Sequence, residues 1–219
     1  MGIQERKARE KDMRRKAIQD AAKELFLLKS FNSTTMEEIA KKAELSPGAI
    51  YIYFKNKEEL YFSLNLVSLQ YLFKEIKKVF DNKKISVEEK IYKFKEGMYK
   101  TYRYDPLLFR NILHVQLENT LSAISKDIVD NLNNLSKKMM SMIANVYEEG
   151  VRQGKFTEGH GMAHADIMWG LFSGLVTWEE SKKRLNPEKD FLKSTLDRAF
   201  DIVCCGIKNQ RGTNELGER

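Results

Sequence analysis

Apolar positions recur at helical spacing along most of this chain, and no alternating apolar–polar run is long enough to predict a strand. Over 13–28, Ile18, Ala21, Ala22, Leu25 and Phe26 fall at i, i+3, i+4, i+7 and i+8, which predicts a helix with one buried stripe. A much shorter helix follows. Thr35 stands three residues ahead of Glu38, as in a reciprocal cap, and Ile39, Ala40 and Ala43 form a narrow apolar stripe. Ser46-Pro47-Gly48 then opens a second short helix, expected over 47–54, with a serine cap and a proline at the first helical position, where its missing N–H costs nothing. Only Glu44 and Leu45 separate the two, so the chain must turn sharply, with Leu45 as an apolar plug. Asn56, with Glu59 at the box position, opens a long helix.

Turn residues place the later breaks. The long helix is expected to end near Phe80, before Asp81-Asn82-Lys83-Lys84, and the next to run from a Ser86 cap to Tyr104. Asp105-Pro106 opens another. A helix over 125–153 should end with Gly154 in the left-handed position, Gly159–Gly161 should precede one over 162–183, and Asn186-Pro187 one over 188–208. The pattern therefore predicts an all-α chain of about nine helices.

The two short helices carry the clearest chemistry. A sharp turn between them is the geometry of a helix-turn-helix whose second helix enters a major groove. Pro47, Gly48 and Ala49 let backbone approach closely, and the Tyr51 and Tyr53 hydroxyls can bond phosphate oxygens, while Ile50 and Phe54 belong to the core. Lys57, in the first turn of the following helix, suits a phosphate. The bland alternative is a plain packing unit with tyrosines in its core. Two tyrosines two residues apart on a helix cannot both face one core.

Thr35, Ile39, Ala40, Ala43, Ser46, Gly48, Tyr51, Tyr53, Phe54, Lys57 and Leu60 form a long gapless pattern that resembles the N-terminal domain of the TetR family of bacterial transcriptional regulators. The resemblance implies a helix-turn-helix DNA-binding domain over 1–56, a helical effector-binding and dimerisation domain over 57–208, and a tail over 209–219 that lacks apolar periodicity and is expected to be disordered. It puts Thr35, Ser46, Pro47, Gly48, Ala49, Tyr51, Tyr53 and Lys57 on double-stranded operator DNA, with Arg14 and Arg15 from the basic segment ahead of them. Two departures stand out. Family members usually carry glycine in the turn before the second short helix and again after the first long one; here Glu44 and Lys29-Ser30-Phe31 occupy those places.

Charge adds location to this picture. Lys and Arg number 38 against 31 Asp and Glu, a net charge of +7, and the excess is concentrated early. Arg6, Lys7, Arg9, Lys11, Arg14, Arg15 and Lys16 face only Glu10 and Asp12. Such an arm reaches phosphates or a minor groove, or is a solvated tail. No apolar run approaches the ~20 residues that span a bilayer, and the N-terminus is charged, so a cytoplasmic protein is expected. Cys204 and Cys205 are adjacent, a spacing unsuited to a disulfide or zinc; they read as packing residues, or one as an oxidant sensor. His160 and His164 have a spacing compatible with a metal, but a polar cap is expected at His160, and no metal or other cofactor is predicted. His114 reads as a pocket or core group.

The second domain is rich in soft and aromatic side chains: Phe94, Met98, Tyr102, Phe109, Met139, Met142, Trp169 and Phe172. They fill an ordinary bundle core or, with the resemblance, line a cavity for an apolar or amphipathic effector such as a fatty acyl-CoA. The last two helices are apolar on more than one side. Ile167, Gly170, Leu171, Gly174 and Trp178, with Leu196, Ala199, Phe200 and Val203, are expected at a homodimer interface, where Gly170 and Gly174 admit a close neighbour. The function expected is a ligand-responsive regulator, a repressor as most of the family are; the alternatives are an all-α enzyme or a carrier of an apolar ligand with a vestigial DNA module. No nucleophile–base pair or phosphate-cradling glycine loop favours an enzyme.

Overall fold

A computed structural model describes residues 2–106 and 124–209. Within them the chain forms eight helices: α1 (Ile3–Lys29), α2 (Met36–Lys42), α3 (Pro47–Ile50), α4 (Lys57–Asp81), α5 (Val87–Tyr104), α6 (Lys126–Arg152), α7 (Gly161–Leu185) and α8 (Leu192–Ile207). The only β feature among the described residues is one antiparallel bridge between Phe156 and Lys208. The helix expected to open at Pro106, with Phe109 and His114, and the tail beyond Asn209 fall outside the described residues. The described chain forms two compact units, one of residues 2–68 and 124–132, the other of 69–106 and 133–209. The division falls within α4 rather than at residue 56.

In the first unit, the predicted stripe of α1 is its buried face: Ile18, Ala21, Ala22, Leu25 and Phe26. The helix starts at Ile3, ten residues earlier than the pattern of apolar positions predicts. Residues 3–12 bury nothing, but most are good helix formers without glycine or proline, and Arg6 pairs with Glu10 one turn on. Propagating an anchored helix costs far less than nucleating one. The basic segment is therefore a helix rather than an extended arm.

Phe26, Phe31 and Tyr61 form an aromatic triangle with ring centroids 4.7–5.5 Å apart, and it joins α1, the 30–35 loop and α4. Offset and edge contacts of this kind add to the apolar area buried. α2 contributes Met36, Ile39 and Ala40 to the same core. A helix of seven residues does not persist alone; burial and its caps hold it.

The second unit is built on longer stripes. On α8, Leu192, Leu196, Phe200 and Cys204 recur every fourth position and are all buried. On α7, Ala165, Met168, Phe172 and Val176 are at 0% exposure. Polar groups tie the helices. Lys95 of α5, itself buried, pairs with Asp197 of α8, and the buried Glu179 carboxylate accepts the Phe191 N–H at 3.0 Å, which orients the entry to α8. α6 ends as its sequence predicts: Gly154 has φ 69°, its N–H donates to Val151 and the Lys155 N–H to Gly150, both at 2.9 Å. Phe156 then folds over Gly150 so closely that an added Cβ would lie 2.0 Å from its ring.

Candidate nucleic-acid interface

The two short helices are held by local hydrogen bonds that the sequence specifies. The Thr35 hydroxyl accepts from the Glu38 N–H at 3.2 Å, and the Glu38 carboxylate accepts from the Thr35 N–H at 3.1 Å. The Lys29 ammonium, then the Thr35 N–H, hold Glu38 below the usual carboxylate range. At the far end of α2, the Glu44 N–H donates to Lys41 at 3.2 Å and the Leu45 N–H to Ala40 at 2.9 Å. These are the two bonds of a Schellman ending, and Glu44 occupies its left-handed position at φ 57°. The turn is thus made without its customary glycine, at a local cost of about 1 kcal/mol. Ser30 departs in the same way, at φ 77° and ψ 165°, a region that strongly favours glycine.

α3 spans only Pro47–Ile50, shorter than the 47–54 expected. Bonds from Ile52 to Ala49 and Tyr53 to Ile50, as tighter turns, and from Phe54 to Ile50, with α-helical spacing, carry the coil on to Phe54 at 3.0–3.3 Å. Ile50 and Phe54 are 0% and 1% exposed, so this face points inward. The opposite side presents Ser46, Pro47, Gly48 and Tyr51 to solvent, with Ala49 and Tyr53 half-buried beside them. Ser46 makes no side-chain cap bond, which leaves its hydroxyl free of the helix it precedes. A Cβ added at Gly48 would meet nothing within 4 Å, so the protein's own packing does not require a glycine there.

Three cations expected on DNA separate. Arg14 is exposed. Arg15 is half-buried: its guanidinium donates to the Tyr53 carbonyl at 3.3 Å and lies 4.3 Å from the centre of the Phe54 ring. It clamps the end of the α3 coil to α1. Lys57 differs most from expectation. Its ammonium donates at 2.8 Å to both the Phe31 and Thr34 carbonyls and sits 4.4 Å from the Phe31 ring centre. Two of its three N–H donors are taken by these carbonyls, so Lys57 braces the loop that presents Thr35 and keeps one donor for a phosphate. At the same helix start, Asn56 accepts the Glu59 N–H at 2.7 Å. Ile52, which the pattern did not single out, is 75% exposed on the outward side.

Residues 18–64 match the family model of bacterial regulatory proteins of the TetR family, and residues 70–209 match the model of the QacR-like protein C-terminal region. The chain belongs to the TetR family. It is 23% identical over 195 residues to the fatty acid metabolism regulator protein of Bacillus subtilis, covering 88% of this chain and 95% of that one. It is 29% identical over 167 residues to the regulator QacR of Staphylococcus aureus, covering 74% and 83%. Among solved structures, FadR from Bacillus subtilis in complex with stearoyl-CoA shares the fold with a TM-score of 0.67 at 23% identity, covering 87% of this chain and 98% of that one. Membership makes this a DNA-binding transcription regulator of the helix-turn-helix class.

In the second unit of this TetR-family chain, Phe94, Met98, Tyr102, Met139 and Phe172 are buried, and Met142 and Trp169 are partly exposed. The Tyr102 hydroxyl donates to Glu180, and burial and that carboxylate push its ionisation well above the ordinary range. Of the residues expected at a dimer interface, Ile167, Gly170, Gly174 and Trp178 are exposed and Leu171, Ala199 and Val203 partly so. Cβ atoms added at Gly170 and Gly174 meet nothing within 4 Å. Leu196 and Phe200, at 1% and 0% exposure, pack in this unit's own interior, on the stripe with Leu192 and Cys204. On α8, Ile202 is 60% exposed. His160 is exposed and caps α7, its Nδ1 accepting the Ala163 N–H at 3.3 Å. His164 is buried and stacked 4.3 Å from Tyr147, so the pair does not act together. No three His, Cys, Asp or Glu side chains among the described residues group to hold a metal ion.

Proposed function

We propose that this chain is a homodimeric repressor, acting in the cytoplasm, that binds a palindromic operator and releases it when an apolar or amphipathic small molecule occupies the second unit. The observation that carries the reading is the outward face of the α3 coil. Ser46, Gly48 and Tyr51 stand free there, while Ile50, Phe54, Arg15 and Lys57 hold the coil and its neighbouring loop in place. Such a face offers backbone and hydroxyls to a major groove, with phosphate contacts from Thr35, Tyr51, Tyr53 and Arg14.

Support for the dimer is the row Ile167, Gly170, Leu171, Gly174 and Trp178, which puts apolar side chains and open glycines on one side of α7. Trp178 is 63% exposed and Ile167 57%. A second copy of α7 and α8 would cover them in a four-helix arrangement. Support for a fatty acyl-CoA as the effector is the apolar interior around Phe94, Met98, Met139 and Phe172, together with the stearoyl-CoA bound by the similar Bacillus subtilis regulator. The effector acts through its differential affinity for DNA-competent and released shapes, typically worth ~1–3 kcal/mol.

The test is selection of binding sites by the full-length protein from a random duplex pool, then titration of the complex with long-chain acyl-CoA. A two-fold symmetric site, released by acyl-CoA, is expected. Recovery of no symmetric site overturns the regulator reading, and an unmoved complex overturns the acyl-CoA reading alone.

A further inference from the structure

We propose that Ile52 is a specificity-determining residue that packs against the 5-methyl group of a thymine in each half-site. The inference rests on the reading that the outward face of the α3 coil enters the major groove.

Ile50 and Phe54 lie one turn apart and point inward, so Ile52, midway between them, points outward. The bonds from Ile52 to Ala49 and from Phe54 to Ile50 keep the coil helical through this stretch. Gly48 lies one turn before Ile52 on the same side, and the space above it is open. The pair makes a ledge of bare backbone and one branched aliphatic side chain, with Tyr51, 48% exposed, beside it. A base edge can approach the backbone at Gly48 while a group attached to the base rests on Ile52.

Chemistry selects the occupant. Ile52 has no donor or acceptor, so it can bond neither phosphate nor polar base edge. The major-groove edges of the bases carry one apolar group, the thymine 5-methyl. At 75% exposure the side chain leaves most of its apolar surface in water until something covers it. A β-branched side chain is also stiff at χ1, so little rotamer freedom is lost on contact. The neighbouring tyrosines and arginine fix position through phosphates, whereas Ile52 distinguishes one base from another.

The experiment uses the selected operator with each thymine replaced singly by deoxyuridine, which removes only the methyl group. Binding of the full-length protein should weaken about fourfold at one position per half-site, the worth of one buried methyl. Ile52→Ala should bind the thymine and uracil versions of that site alike, and Ile52→Val should keep part of the preference. Because Ile52 is 75% exposed, both variants should melt close to the parent. A flat deoxyuridine scan, selected half-sites without thymine, or a preference undiminished in Ile52→Ala would overturn the proposal while leaving the operator reading intact. Failure to select any operator would instead strike at that reading and remove the ground of this one.

Discussion

The two units differ in which glycines their own packing requires. The one glycine of the helix-turn-helix, Gly48, has open space where its Cβ would be, and the turn that most favours a glycine is made by Glu44 at φ 57°. In the second unit, Gly154 takes the equivalent left-handed position at φ 69°, and Gly150, Gly159 and Gly161 each have a neighbour within 3.0 Å of the missing Cβ. Gly150, Gly159 and Gly161 serve the second unit's own packing, whereas Gly170 and Gly174 of the same unit have open space like Gly48. At Gly48 the protein's own packing asks for no glycine.

The largest effect that would test this contrast is expected at Gly150. Its Cβ would overlap the buried ring of Phe156, which is also stacked on Tyr147, so Gly150→Ala should cost about 3 kcal/mol in denaturant unfolding. A change below about 0.5 kcal/mol would mean that Phe156 moves freely and that the crowding is not structural.

A comparable effect should appear in the same cluster through pH. Burial pushes His164 down to about 4 from its usual value near 6.5, and its Nε2 has no hydrogen-bond partner. The unfolded chain therefore binds this proton first as pH falls. Stability associated with neutral His164 is complete above pH 6.5 and is lost as pH drops toward 4, by about 3 kcal/mol. His164→Phe, which keeps the stack on Tyr147, should flatten that part of the stability–pH curve. Parallel curves for the two proteins would show that His164 does not titrate in the folded interior.

Smaller and opposite shifts are expected at the two left-handed turns. Gly154→Ala should destabilise by about 1 kcal/mol, whereas Glu44→Gly should stabilise by about 0.5 kcal/mol, since relief of the left-handed strain exceeds the added chain entropy. Melting of the two variants beside the parent checks the signs. If Glu44→Gly lowered stability, the turn would be held by something other than its backbone bonds. The smallest change in stability and the largest in function are expected together at Gly48→Ala: unfolding within about 0.5 kcal/mol of the parent, and operator affinity reduced at least about tenfold. Unchanged DNA binding would return Gly48 to the role of an incidental surface residue.

Much of the fold was legible because its signals are local. Thr35 with Glu38, Asn56 with Glu59, Ser86 with Glu89, and Gly154 each act within a few residues of themselves, and the structure shows each of them at work. Where the structure adds contacts that the pattern did not foresee, the partner is distant in sequence. The carbonyls that Lys57 binds lie 26 and 23 residues earlier. Arg15 is tied to a carbonyl 38 residues away. Leu196 and Phe200 were apolar at the right spacing for an interface, but spacing alone does not say which of two apolar faces turns inward. The early start of α1 was hidden because its first residues bury nothing.

By itself, then, the sequence determined the helices, their caps, the sharp turn after α2 and membership of a DNA-binding family, since these depend on side chains acting on backbone within one or two turns. The tertiary structure decided which polar groups are consumed within the protein and which remain for a partner. It ties two of the Lys57 donors to the protein's own carbonyls and leaves Ile52 exposed. That division is a matter of solvent exposure, and exposure is settled only when segments far apart in the chain compete to cover the same surface.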